Sequence, residues 1–156
     1  MVIQRVQSLL LLVAAVVMSW FSCVTVGQVN TADFTLNFFP LGFEFEGTYD
    51  NPAYSGWYAY TWSFFILGLI SAVIPFIAIF SYRNLKLQMR LCLITCLLLC
   101  ATVAVGANYG YNFVEGGTIT WNQMAFAPLL AFCAAILAWT RIRSDKRRIE
   151  AADRIR

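Results

Sequence analysis

Of 156 residues, 60% are hydrophobic and only 12% are charged, with a net charge of +3 and a mean hydropathy of +0.68. Soluble domains sit near about 45–50% apolar and about 25% charged, so the composition excludes an ordinary soluble fold. Histidine is absent, which removes the usual haem ligand, zinc ligand and general base together.

The apolar residues gather in four blocks, near 6–26, 58–80, 91–109 and 119–139. Each is about 20 residues long, enough to cross ~30 Å of hydrocarbon at ~1.5 Å per residue. The pattern predicts one integral membrane domain over 1–156, of all-α class. The expected form is a four-transmembrane-helix bundle with outer loops at 27–57 and 110–118 and a basic tail at 140–156.

The first block, "MVIQRVQSLLLLVAAVVMSWFSC", raises a choice between a cleaved export signal, a lipoprotein start and a retained span. Its run of about 21 apolar residues exceeds the ~7–15 of a secretory core. Thr25 and Gly27 offer small residues for cleavage, but bulky Trp20 and Phe21 just before Cys23 do not suit lipidation. A retained first helix is expected.

Charge supplies an orientation. Arg5 precedes the first block, Arg83, Lys86 and Arg90 lie between the second and third, and the other seven basic residues follow the fourth. With four spans, all eleven fall on one side; set against Asp145, Glu150 and Asp153 they leave +8 there. Asp33, Glu44, Glu46, Asp50 and Glu115 put −5 on the other side. The positive-inside rule then makes both termini cytoplasmic.

The two ends carry a resemblance as well. "MVIQRVQSLLLLVAA", "RRIEAADRIR" and the link "RNLKLQMRL" resemble an uncharacterised family of small four-span bacterial membrane proteins, a domain-of-unknown-function family. That family opens M-x-Q-R-x-Q and closes on A-D-R-[IL]-R; here Val2 is inserted before "IQR". The resemblance implies a Gram-negative inner membrane location and attaches no activity.

In the first outer loop, "FTLNFF" and "FEFE" alternate apolar with polar on either side of "PLG", which predicts a hairpin. In the second, Gly116–Gly117 suits a tight turn between two more strands. Together they predict a small β-hairpin cap. Trp57, Tyr58, Tyr60, Trp62, Tyr109, Tyr111 and Trp121 form an aromatic group near the boundary that anchors and packs this cap, or alternatively, with Phe43 and Phe45, offers a contact surface to a partner or to lipid. The acidic residues lack the spacing of a calcium loop.

Within the third block, Cys92, Cys96 and Cys100 recur every fourth residue and so share a helical face. With Cys133 they are the only candidates for a soft metal. Cysteine in an apolar helix also packs as a small hydrophobe, and that reading is preferred, with no metal or cofactor expected. In the fourth block, Ala127, Ala131 and Ala135 recur at the spacing that lets membrane helices approach closely. Pro75 and Pro128 each remove a backbone donor inside a block, a place for a kink or a cavity.

No charged residue falls inside a predicted span, which argues against ion-coupled transport. No phosphate loop or nucleophile elbow is present. The expectation is a non-enzymatic accessory or scaffold subunit; the alternative is a lipid- or small-molecule-binding protein or transporter component. Arg141, Arg143, Arg147 and Arg148 are candidates for anionic headgroups or a cytoplasmic partner. Partners are expected to be the bilayer, a membrane protein or a second copy, and no nucleic acid.

Overall fold

The computed structural model describes residues 2–47, 55–82 and 84–153. Asp50, Arg83, Arg154 and Arg156, used above for charge, lie outside the described residues, as does the side chain of Arg5. Among the described residues, four α-helices alternate in direction: α1 (Val2–Phe21), α2 (Trp62–Phe80), α3 (Leu85–Asn112) and α4 (Ala127–Asp153). Each packs on two others, α1 and α3 both lying between α2 and α4.

The all-α expectation is overturned. Five strands form one antiparallel sheet at the end of the bundle where α1 and α3 finish. They are β1 (Gly27–Asn30), β2 (Thr35–Phe39), β3 (Gly42–Phe45), β4 (Trp57–Tyr60) and β5 (Thr118–Trp121), in the order β4-β3-β2-β1-β5. Only β2 and β3 are the hairpin expected around Pro40–Gly42. The second outer loop makes no hairpin of its own, because α3 runs on to Asn112 and β5 pairs instead with distant β1. The long first connection buries Leu36, Phe38 and Phe43, and burying their backbone requires ladder partners, which the sheet supplies.

The span count is corrected too. Among the described residues, three helical stretches are long and apolar enough to cross a membrane: Trp62–Phe80, Leu85–Asn112 and Gln123–Ala151. In α1 the described apolar stretch, Val6–Phe21, is shorter. The fourth block begins differently from its hydropathy. Ile119 is in β5, Gln123–Phe126 is a 3-10 turn, and the α-helix starts only at Ala127. Pro128 therefore sits in a first turn, where its missing N–H breaks no bond, and it needs no kink. The helix then continues unbroken through the basic segment to Asp153.

The bundle is packed small-side in. Beyond Phe64 at its start, the buried face of α2 is Gly68, Ser71, Ala72, Pro75 and Ala78. On α3 the buried positions 88, 92, 95, 99, 102, 106 and 110 step by three or four. Buried hydroxyls are satisfied locally: Ser71, Thr95 and Thr102 donate to the carbonyls of Leu67, Leu91 and Leu98 at 2.7, 2.9 and 2.8 Å. The large side chains turn outward, among them Ile70, Phe76, Leu93, Leu97, Leu130 and Leu137. An apolar exterior around a small, hydroxyl-bearing interior is how helices associate in lipid, where packing rather than water exclusion holds them.

Sheet and helices meet through close approaches. Thr61 is fully buried, and its hydroxyl donates to the Pro40 carbonyl at 2.9 Å, tying the start of α2 to the β2–β3 turn. A Cβ on Gly106 would lie 2.8 Å from the Phe64 ring, and one on Gly110 2.7 Å from Trp121, so α3 reaches α2 and β5 only through glycine.

Candidate functional site

The sheet has two unlike faces. Val29, Leu36, Phe38 and Phe43 are buried toward the helices, where Phe38 stacks on Phe43 at 4.6 Å and Phe43 on Phe113 at 5.2 Å. The opposite face carries a polar row. Gln28 Nε2 donates to Asn37 Oδ1 and to both oxygens of Glu46, each at 3.2 Å. Phe43 and Phe45, singled out from the sequence as contact candidates, are inward residues. Phe43 is fully buried, and Phe45 packs partly buried against the core.

Trp57 is different. It is exposed, stacks on Tyr60 at 5.5 Å, and Tyr60 stacks on Trp62 at 5.9 Å. Phe39 approaches the far side of Trp57 at 5.9 Å. Trp62 opens a stretch apolar enough to cross a membrane, so the row begins at that boundary and runs out along β4. Sequence reasoning found the aromatic residues but not this arrangement. The strand "WYAY" alternates poorly and runs directly into the apolar helix after it.

The alanine stripe does not reach the surface. Ala127, Ala131 and Ala135 are buried, with Ala131 and Ala135 wholly so, inside the bundle. They pack within the chain, at the close-approach spacing read from the sequence. The cysteine stripe turns gradually outward: Cys92 is buried, Cys96 half-buried, Cys100 exposed, and Cys133 is exposed on α4. All four are free thiols, and no three His, Cys, Asp or Glu side chains group to hold a metal ion among the described residues.

At the basic end, Arg141, Arg143, Arg147 and Arg148 are all exposed on α4. Arg143 lies over the Trp139 ring at 5.2 Å, and with Arg147 and Arg148 it lines an open depression of about 400 Å³. Glu150 pairs with Lys146 at 3.5 Å, one helical turn away. Of the two isoleucines seven apart on this segment, Ile142 is fully buried and Ile149, two turns on, is exposed.

Two buried amides at this end were missed by the sequence reading. Gln7 on α1 donates to Asp145 on α4, and Gln88 on α3 is buried with its Oε1 unpartnered among the described residues. The available signal was the seam itself: extended one turn before Cys92, it lands on Gln88. The polar residues at the other end bond locally, Asn112 to Asn108 at 2.8 Å and Asn122 to the Gln123 backbone at 2.7 Å.

A family model described as Domain of unknown function (DUF4293) matches residues 3–155. No curated protein and no solved structure matches the chain.

Proposed function

The chain belongs to the DUF4293 family, whose description attaches no activity, and on that premise we propose a non-enzymatic accessory subunit of a bacterial inner-membrane complex. In this reading the basic end of the bundle, with Arg143, Arg147 and Arg148, faces the cytoplasm and anionic headgroups. The sheet stands on the opposite side.

The observation that carries the reading is the stacked row Trp57–Tyr60–Trp62, whose rings remain 39%, 52% and 58% exposed. Aromatic rings are the side chains that most often dominate the energy of protein interfaces. The row is rigid before any partner arrives, because each ring is braced by the next. The helix faces support the same conclusion by exclusion, since their small-residue stripes are already used inside the chain.

The test is chemical crosslinking in native membranes, followed by purification in mild detergent. A stoichiometric partner crosslinked to the sheet and lost with Trp57→Ala and Tyr60→Ala is the expected result. Purification as a bare monomer with no crosslinked partner would count decisively against it. Truncation from Arg141 is the wrong variant, because it would remove the buried Ile142 and the Gln7–Asp145 contact together.

A further inference from the structure

Two cavities lie end to end along α3, one where it meets α1, α2 and the chain entering α4, the other against α4 itself. One, of about 270 Å³, is lined by Phe64, Thr102, Gly106, Ala107, Tyr111 and Trp121. The other, of about 280 Å³, lies among Leu99, Cys100, Leu129 and Phe132. Val103 and Pro128 line both, so the two form one groove. The sequence makes it by omission of bulk: Gly106 and Ala107 on α3 face Ala125 and Pro128, where the chain has only begun its last helix.

We propose that this groove holds one acyl chain of a bilayer phospholipid from the leaflet on the sheet side. The proposal is independent of the accessory reading above. Along α3, Leu99 to Tyr111 spans ~18 Å, close to the ~15 Å of one leaflet. Cys100, Val103, Tyr111 and Phe126 on its walls are exposed on segments apolar enough to cross a membrane, so the groove opens sideways to hydrocarbon.

Its width selects the occupant. Volumes of about 270 and 280 Å³ spread over ~18 Å give a section of roughly 30 Å². A helix of ~10–12 Å diameter needs roughly 80–110 Å², so a whole helix is too wide to lie inside the groove, whereas a single acyl chain is not. The Thr102 hydroxyl is given to the Leu98 carbonyl at 2.8 Å, which leaves the Cys100 thiol, a weak donor, as the free interior donor among the described lining residues. The mouth is polar: Trp121 Nε1 donates to the Tyr111 oxygen at 3.1 Å, leaving the phenol O–H to donate to an ester carbonyl. A groove of about 300 Å³ between α1 and α2, among Leu12, Ala15, Leu69 and Phe76, has no such mouth and serves as an internal control.

The experiment uses the full chain reconstituted in phosphatidylcholine vesicles containing a phosphatidylcholine with a diazirine on one acyl chain. Photolabelled peptides are mapped by mass spectrometry. Labelling at 99–111 and 125–132 is expected to exceed that of the α1–α2 groove by about fivefold or more, as a formed site rather than bulk lipid requires. Ala107→Phe and Cys100→Trp fill different halves, and either one that folds, judged by circular dichroism, should remove most of that excess. Ile70→Phe, on the outer face of α2, should not. Equal labelling of both grooves, or an excess indifferent to the filling variants, overturns the proposal. So does crosslinking between copies through Val103 or Phe126 in place of lipid.

Discussion

Phe64 of α2 stacks on Phe38 of β2, ring centroids 5.5 Å apart and planes 19° from parallel, and meets Phe21 of α1 edge-on at 5.8 Å. One buried side chain thus joins the sheet to two helices. Phe64→Ala removes both contacts and is expected to cost about 3–5 kcal/mol. Chemical denaturation in detergent, followed by tryptophan fluorescence, measures it. A loss below about 1 kcal/mol would mean that sheet and bundle are held together elsewhere.

The same ring explains a glycine. A methyl group on Gly106 meets the Phe64 ring at 2.8 Å, closer than real side chains approach. Gly106→Ala should therefore destabilise by about 1–3 kcal/mol through overpacking. In a Phe64→Leu background the cost should shrink, because the clashing ring edge has gone. A double-mutant cycle reads the coupling directly, and purely additive losses would show that the contact does not limit the approach of α3 to α2.

The buried amides at the basic end behave asymmetrically. Gln7→Leu alone leaves the partly buried Asp145 without its donor and is expected to cost about 1–3 kcal/mol. Gln7→Leu combined with Asp145→Leu removes both partners and should recover much of that loss. Gln88→Met, which replaces an amide whose oxygen has no partner among the described residues, should be neutral or stabilising. Detergent melts compare the four chains, and a costly Gln88→Met would show that the amide has a bonding role.

How much of this was legible in the sequence divides along the range of the interactions. The apolar blocks and the β2–β3 alternation are local signals and could be read directly. β1, "GQVN", has neither β-branched alternation nor aromatic residues. Its place is set by Phe38 on one side and by Trp121, far along the chain, on the other. A pairing across so many residues leaves no local trace, and missing it turned an α+β chain into an all-α expectation. α4 shows the converse. Hydropathy falls after Trp139, where the chain leaves the apolar stretch, but Arg and Lys are good helix formers and nothing there ends the helix. The buried residues of that extension, above all Ile142, were hidden among charges.

Orientation is testable with the native thiols. Cys23 is exposed between α1 and β1, at the sheet end, whereas Cys92, Cys96 and Cys100 lie in the apolar part of α3 and Cys133 in the uncharged part of α4 that precedes Arg141. If the basic end is cytoplasmic, a membrane-impermeant maleimide should label Cys23 in intact spheroplasts. A cysteine introduced by Ser144→Cys, exposed at the basic end, should label only after permeabilisation. The reverse pattern would place the sheet in the cytoplasm.

The aromatic row gives the last prediction, because an interfacial anchor and a partner surface answer differently to substitution. Trp62 stands at the start of the α2 stretch, where tryptophan favours the headgroup region. Trp57 and Tyr60 continue the stack along β4. If they meet a partner, Trp57→Ala and Tyr60→Ala should each cost about 2 kcal/mol or more of binding, the scale of an interface hot spot. Being exposed, they should change the melting of the isolated chain little. Crosslinking yield against partner concentration gives the first quantity, and detergent melts give the second. Brominated lipids separate the alternative: quenching confined to Trp62 fits a partner surface beyond the bilayer. Equal quenching of Trp57, measured with each tryptophan alone, would make the whole row a membrane anchor.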